Sequence, residues 1–171
     1  MGRIIITDHA LTISEIDAEA SRKCRSQDIS MIGIDFADMT VRGENSAAAM
    51  EEVYRTCALL AKRTGVPVVL LAQLNDKYVG GMPQVNHLRW SRMAEAYAAL
   101  IFMIYNPGQL WVDQGESKNK VLPHVHGMGY LIIGKSRFGT THEGIGAIQL
   151  SWDGATSWGD ENGKWFFLKG A

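Results

Sequence analysis

The sequence feature that most constrains the fold is a pair of apolar runs on either side of an amphipathic segment. The first run, ISMIGIDF, covers residues 29–36, and the second, VPVVLLAQL, covers residues 66–74. Between them, apolar residues recur every three or four positions across residues 44–64, and Gly65 follows, as is typical of a helix that ends at a glycine. Two buried strands joined by a crossover helix run parallel, so this stretch predicts an α/β fold.

Flanking residues predict further helices and strands. Before this unit, RIIIT (3–7) predicts a short strand, and Thr12 with Glu15 forms the T-x-x-E pattern of a helix start. After it, we expect a loop at 75–86, a short helix at 88–97, a strand at 98–105, a mobile loop at 106–127, and strands near 128–134, 145–152 and 164–168. The predicted fold class is α/β with a mainly parallel sheet and antiparallel strands toward the C-terminus.

Composition narrows the functional classes. The chain has 171 residues, 46% apolar and 20% charged, which are ordinary values for one globular domain. No apolar run approaches the ~18 residues of a membrane span, and Cys24 and Cys57 lie in predicted helices without CxxC spacing. We therefore expect reduced thiols in a cytoplasmic protein with no membrane partner. A net charge of −1 means that any contact with nucleic acid must come from a local cluster of cations or from backbone amides.

Residues 129–136, GYLIIGKS, match the letters of a phosphate-binding P-loop, G-x-x-x-x-G-K-[ST]. A P-loop needs a flexible glycine-rich turn whose amides point at a phosphate, followed at once by a helix. Here the middle residues are bulky and strand-forming, and the following SRFGTTHEGIG has no helical period. We therefore expect a β-strand whose amides are used in a sheet, and no nucleotide loop.

Polar side chains follow the predicted strands, where ligands bind on parallel sheets. Asp35 ends its apolar run as a Walker B aspartate does, delivering a carboxylate to Mg²⁺, although an aspartate here can also cap the next turn. Gln73 can orient a water molecule or sense a γ-phosphate. Lys135 and Arg137 stand two residues apart, so an extended segment turns both to one side, as a phosphate site requires; a solvated basic turn is the alternative.

Taken in order, these segments resemble the RecA-like ATPase domain of the hexameric replicative helicases, the DnaB and phage primase–helicase group. MIGIDFADM (31–39) is similar to the family's Walker B strand, and the segment at 42–75 to its third helicase motif. HLRWSRMAEAYAALIFMIY (87–105) resembles the fourth motif, and GKSRFGTT (134–141) the K-x-R-x-G segment. The resemblance covers about residues 3–160, and RadA-like recombination ATPases share a similar K-x-R-F-G sequence.

The resemblance implies roles for the nucleotide-facing residues. Asp35 corresponds to the Mg²⁺-associated aspartate and Gln73 to the γ-phosphate sensor. Lys135 and Arg137 correspond to the cations that reach the ATP held by the neighbouring subunit, as an arginine finger does. ATP and Mg²⁺ are therefore the expected substrate and cofactor.

The resemblance also implies a DNA-facing loop and an assembly. Arg89 and Arg92 fall in the loop expected near the DNA backbone, although Arg92 stands where the family has Gly. Asp38 stands where the family usually has Gln or another polar residue. The expected partners are single-stranded DNA and other helicase subunits in a ring-forming oligomer.

The family's P-loop and catalytic glutamate precede the region that this chain resembles. We therefore expect residues 1–171 to form one partial domain that, alone, binds ATP poorly and hydrolyses none. The expected function is the C-terminal portion of a DnaB-like helicase motor, which couples ATP hydrolysis to translocation on single-stranded DNA. Two alternatives are a non-enzymatic module that docks on an intact helicase and a RadA-like ATPase fragment.

Overall fold

The computed structural model describes residues 4–8, 11–41, 46–76, 78, 82–105, 128–137 and 146–151. These residues fall in two compact units. The first unit contains the described residues of Met1–Leu74 and Arg89–Ala98, and the second those of Asn75–Leu88 and Ala99–Ala171. The prediction of one partial domain is not tested by this division and stays a prediction.

The first unit is built from the predicted strand–helix–strand segment. Its elements are α1 (Ile13–Ser26), β1 (Ile32–Ile34), a 3₁₀ helix (Ala37–Thr40), α2 (Ala47–Thr64), β2 (Val68–Leu70) and α3 (Ser91–Tyr97). Strands β1 and β2 pair in parallel, with Gly33 opposite Val69. The parallel pairing of these two strands is thus as predicted.

The helices begin and end where their sequences indicate. At the start of α1, the Thr12 hydroxyl accepts a hydrogen bond from the Glu15 N–H, and the Thr12 N–H donates to the Glu15 carboxylate. The Ser46 hydroxyl caps α2 by accepting from the Ala49 N–H. Helix α2 ends at Gly65, whose φ of 71° lies in the left-handed region that favours glycine.

Helix α2 supplies much of the core of the first unit. Its buried residues, Met50, Val53, Tyr54, Cys57 and Leu60, follow the predicted apolar stripe. Beyond that stripe, the Arg63 guanidinium forms an ion pair with Asp17 of α1 and donates to the Ser21 hydroxyl at 2.8 Å. The helix therefore buries one face and joins α1 through polar contacts near its C-terminus.

The second unit contains an antiparallel sheet. After a 3₁₀ helix (Val85–His87) come β3 (Leu100–Tyr105), β4 (Met128–Ser136) and β5 (Gly146–Ser151), in the spatial order β3–β4–β5. The stretch GYLIIGKS therefore lies in β4, which pairs with a strand on each side. Its amides are used in two ladders, and the expectation of a strand instead of a P-loop is confirmed.

The pairing of β3 with β4 contains a β-bulge at Gly134. Ile101 pairs with Lys135 and Phe102 with Ile133, so Gly134 is the extra residue on β4. A Cβ atom added to Gly134 would lie 2.6 Å from Val85 Cγ2 and 2.8 Å from Met103 Cε, closer than real Cβ contacts. A side chain at this position would force Val85 or Met103 to shift, because both approach the backbone closely.

Two differences from the sequence predictions concern strands. Residues 4–8 form neither helix nor strand, and Ile4 and Ile6 are 86% and 81% exposed, so the predicted strand at 3–7 is wrong over these residues. The apolar runs at 29–36 and 66–74 form strands of only three residues each. The predicted loop at 106–127 and the strand at 164–168 lie outside the described residues.

None of the helices in the described part of the chain is both long enough and apolar enough to cross a membrane.

Candidate functional site

Asp35 and Gln73 lie beyond the carboxyl ends of the paired strands β1 and β2. The pairing continues past the strands, since the Leu71 N–H donates to the Ile34 carbonyl at 3.0 Å and the Ala37 N–H to the Leu71 carbonyl at 2.9 Å. Both polar residues are exposed. The two strand-end residues therefore leave the same edge of this parallel pair, where ligands bind on parallel sheets.

The segment that carries Arg89 is fixed to the segment that carries Gln73. The Arg89 N–H donates to the Gln73 carbonyl at 2.9 Å. Arg89 itself is exposed, and Arg92 is an exposed residue in the first turn of α3. The first unit thus contains Asp35, Gln73, Arg89 and Arg92, the residues to which the sequence assigned nucleotide and DNA contacts, and one hydrogen bond joins the segments of Gln73 and Arg89.

Asp38 joins this group, and its part in the site was not predicted. It lies on the 3₁₀ helix that follows Asp35, and its side chain is only 10% exposed. Its carboxylate oxygen Oδ1 accepts a hydrogen bond from the Trp90 indole N–H at 3.3 Å and lies 3.6 Å from Arg89 Nη1. The sequence signal was present only as an aspartate where the resembling family usually has glutamine.

Trp90 adopts an unusual backbone conformation at this point. Its φ of 63° and ψ of 33° place a bulky residue in the left-handed region immediately before α3. This conformation costs about 1–2 kcal/mol for an L-residue other than glycine. The hydrogen bond from the indole to Asp38 is the described side-chain contact that holds Trp90 in this turn.

The hydroxyl of Tyr54, on α2, interacts electrostatically with the same carboxylate. Burial, together with smaller effects of the negative charge of Asp38 and of Cys57, raises the pKa of the Tyr54 phenol from 10.0 to about 12. Within the described part of the chain, no hydrogen-bond partner lies within reach of the buried Tyr54 hydroxyl. The surroundings of Asp38 therefore contain an arginine and an indole as favourable partners and a neutral phenol.

Lys135 and Arg137 belong to the second unit. Lys135 is half-buried near the end of β4 and pairs with Ile101, while the Arg137 N–H donates to the Ala99 carbonyl at 2.9 Å. Arg137 is exposed. Strand pairing therefore fixes the backbone of both cations, one residue before and one residue after the end of the strand.

The described side chains form no cluster of metal-binding groups. Across the ranges that the structure describes, no three histidine, cysteine, aspartate or glutamate side chains are grouped so that they could hold a metal ion. A cation at Asp35 would therefore need most of its ligands from water or from a phosphate, which is the usual arrangement for Mg²⁺.

Comparisons with known proteins identify relatives. The sequence model of the family described as "DnaB-like helicase C terminal domain" matches residues 2–158. The replicative DNA helicase DnaB of Buchnera aphidicola subsp. Acyrthosiphon pisum is 32% identical over 152 residues, 85% of this chain. The DnaB helicase of Haemophilus influenzae is 31% identical over 154 residues, 86% of this chain. In both cases the chain spans 30% of the relative's length.

A solved structure extends the comparison to the fold. A protein described as a DnaB-like replicative helicase, in a study of its interactions with primase, matches 85% of this chain and 34% of its own chain. The TM-score is 0.65 at 21% sequence identity, so this match shows a shared fold. It confirms the predicted partial RecA-like α/β fold. These relatives support the DnaB branch, and they give no support to the RadA-like alternative.

Proposed function

The chain belongs to the family of DnaB-like helicase C-terminal domains, and from that premise we propose that it is part of the motor of a replicative DNA helicase. In this proposal, ATP hydrolysis drives translocation of a ring of subunits along single-stranded DNA. This chain supplies the Walker B aspartate, the γ-phosphate sensor, the DNA loop and the trans-acting cations. The phosphate-cradling amides come from a segment other than GYLIIGKS, because that stretch is a paired strand.

Asp35 is the residue that would hold Mg²⁺. Its exposed carboxylate follows β1 at the edge where ligands bind, and carboxylate oxygen is a ligand that Mg²⁺ prefers. Mg²⁺ supplies charge neutralisation on the phosphates. Gln73 follows β2 at the same edge, and its amide would orient water or contact the γ-phosphate.

Lys135 and Arg137 would act on the nucleotide of the neighbouring subunit. The guanidinium of Arg137 can donate two parallel hydrogen bonds to phosphate oxygens, whereas the Lys135 ammonium acts as a compact charge. Support comes from the paired backbone on which both residues lie, since a trans contact requires a rigid base.

Arg89 and Arg92 would contact the phosphates of single-stranded DNA. Both are exposed and lie within four residues of each other at the start of α3. Phosphate contacts from such cations bind single strands without sequence preference and weaken as salt concentration rises. We also propose a cytoplasmic location, which is where a DNA helicase would meet its substrate.

One observation carries the proposal most strongly. Arg89, assigned to DNA, donates its backbone N–H to the carbonyl of Gln73, assigned to the nucleotide, at 2.9 Å. A motor needs a physical connection between its nucleotide-facing and DNA-facing segments, and this hydrogen bond provides one within a single compact unit.

A chimera tests the proposed function. This chain would replace the segment of the Haemophilus influenzae DnaB helicase that it matches, and DNA-stimulated ATP hydrolysis would be measured on the assembled oligomer. We expect hydrolysis by the chimera and none by this chain alone.

An assembled chimera that binds ATP and does not hydrolyse it would contradict the motor assignment and favour the docking module. The unmodified helicase serves as the reference for assembly and rate. Hydrolysis by this chain alone would contradict the interpretation of GYLIIGKS as a strand without a nucleotide role.

A further inference from the structure

In the first unit, contacts connect three segments with one another: the segment after Asp35, the segment around Gln73, and the turn formed by Arg89 and Trp90. The Ala37 N–H donates to the Leu71 carbonyl at 2.9 Å, which fixes the segment after Asp35 to the segment before Gln73. The Arg89 N–H donates to the Gln73 carbonyl. Finally, the side chains of Arg89 and Trp90 contact Asp38, which lies three residues after Asp35.

Among the described residues of these three segments, Asp38 is the one whose side chain contacts both Arg89 and Trp90. The Trp90 indole donates to it at 3.3 Å, and Arg89 Nη1 lies 3.6 Å away. Removing this carboxylate would leave the turn with the backbone bond to Gln73 but without these side-chain anchors. Since Trp90 has a positive φ, we expect the turn to relax toward an ordinary conformation when its indole is released.

The two partners of the Asp38–Arg89 ion pair differ in burial. Asp38 is 10% exposed and Arg89 is 44% exposed. The protein therefore encloses the carboxylate, while a large part of the Arg89 side chain stays accessible to solvent. A guanidinium has five N–H donors in a fixed planar fork, so it can face a carboxylate and still bind a second anion.

The negative charge of Asp38 is unfavourable for a surface that binds DNA, because DNA phosphates are also negative. A carboxylate beside an arginine lowers the local positive potential and so should weaken phosphate binding. A positioning role has the opposite consequence, because the carboxylate then raises affinity by holding the guanidinium where a phosphate can meet it. The two effects predict opposite changes when the charge is removed, which makes the role of Asp38 measurable.

We propose that Asp38 is a positioning residue, which holds Arg89 and Trp90 in the orientation that meets single-stranded DNA and ties that orientation to the segment carrying Asp35. This inference rests on the proposed function, because it takes Arg89 to contact DNA. It adds a residue and a contact to the DNA loop that the sequence did not indicate.

The test measures binding of this chain to a fluorescently labelled oligothymidylate by anisotropy at several salt concentrations. Arg89→Ala should weaken binding and lower the slope of log affinity against log salt by about one. Asp38→Ala should weaken binding to a similar extent, although it removes a negative charge. The double variant should bind no more weakly than Arg89→Ala, because both changes remove the same contact.

Two further variants keep the test decisive. Asp28 is an exposed aspartate of the same unit, so Asp28→Ala controls for net charge and should bind at least as tightly as the parent. Asp38→Asn retains an oxygen that can accept from the indole and lacks the charge, so it should keep the Trp90 indole N–H resonance near its original position and still weaken binding. This resonance is assigned with Trp90→Phe, and thermal unfolding checks that each variant is folded.

The outcomes separate this inference from the proposed function. Binding by Asp38→Asn as tight as, or tighter than, the parent would overturn the positioning role, even if Arg89→Ala binds weakly. A parent chain that does not bind the oligothymidylate, or an Arg89→Ala variant that binds like the parent, would contradict the DNA role of Arg89. The positioning inference would then be rejected with it.

Discussion

The two compact units hold their proposed site residues in different ways. In the first unit, Asp35, Gln73 and Arg89 lie in connections outside the strands, and hydrogen bonds between those connections hold them. In the second unit, Lys135 lies within β4 and Arg137 directly follows it, so a sheet ladder holds their backbone. A single backbone hydrogen bond joins the connections that carry Gln73 and Arg89, whereas the pairs of an antiparallel ladder hold the segment that carries Lys135.

The units also differ in how they bury apolar side chains. Helix α2 in the first unit buries a complete stripe, with Met50, Val53 and Leu60 fully inaccessible. Strand β3 in the second unit alternates, with Ile101 and Met103 buried and Leu100, Phe102 and Ile104 exposed. The first unit therefore packs around a helix with one buried stripe, whereas strand β3 of the second unit buries one face and leaves the other exposed. Each of the following predictions would sharpen or break that contrast.

The largest expected effect is on catalysis by the second unit. In the assembled chimera, Arg137→Ala should lower the rate of ATP hydrolysis about 10³-fold or more, the usual effect of removing an arginine finger. Arg137→Lys should not restore the rate, because an ammonium cannot form the two parallel hydrogen bonds of a guanidinium. Steady-state hydrolysis at saturating ATP measures both. A rate within threefold of the parent would remove Arg137 from the site.

The next effect compares one substitution in the two units. Leu60→Ala should lower the free energy of unfolding by about 2–5 kcal/mol, since Leu60 is fully buried and its loss leaves a cavity. Leu100→Ala should cost less than about 1 kcal/mol, since Leu100 is 44% exposed on β3. Urea unfolding of the whole chain measures both. Equal losses would indicate that the exposed face of β3 is covered in solution.

Alkaline pH should weaken the first unit through Cys57. Burial, and to a smaller degree the charge of Asp17, raises the pKa of the Cys57 thiol from 9.0 to about 11. The unfolded chain ionises this thiol from about pH 9 and the folded chain only near pH 11. The thiol therefore makes its full contribution to the free energy of unfolding below pH 9. That contribution, up to about 2–3 kcal/mol, is lost as the pH rises from 9 to 11.

Urea unfolding under reducing conditions at pH 8 and pH 10.5 tests this. Tyr54 should add a second loss between about pH 10 and 12, because its pKa is raised in the same sense. Cys57→Ala should reduce the fall in stability over the Cys57 range, and Cys24→Ala should not. An identical pH dependence in the parent chain and in Cys57→Ala would contradict the burial of the thiol.

The smallest effect compares one glycine from each unit. Gly134→Ala places a methyl group against Val85 and Met103 and should cost about 1–2 kcal/mol, with a shift of the bulge next to Lys135. Gly33→Ala places its methyl group in open space, with nothing within 4 Å, and should change stability by less than about 0.5 kcal/mol. Thermal unfolding gives both values. A larger loss for Gly33→Ala would reverse the contrast between the units.

Local signals in the sequence predicted much of the fold. The Thr12–Glu15 capping box, the stripe of α2 and the glycine at its end depend on residues close together in the chain, and all are found. GYLIIGKS could be recognised as a strand because its bulky residues exclude a flexible turn. In contrast, Ile4 and Ile6 match a strand in composition but lie in no strand, because a strand also needs a partner that local sequence does not specify.

The site was predicted residue by residue but without its connections. Asp35, Gln73, Lys135 and Arg137 were found because each follows or ends an apolar run, and their roles stay predictions. Asp38 was noticed only as a departure from the family pattern. Its contacts with Arg89 and Trp90 span more than fifty residues of sequence and depend on a left-handed tryptophan, which no local pattern indicates.

In the proposed motor, the first unit of one subunit binds nucleotide and the second unit of its neighbour acts on it. Mixing two inactive variants of the chimera, Asp35→Ala and Arg137→Ala, tests this directly. In a ring of head-to-tail subunits, random mixing at equal amounts creates intact interfaces at about a quarter of positions. We expect ATP hydrolysis to recover to about that fraction of the parent rate. Hydrolysis in the mixed ring no higher than in either variant alone would contradict it.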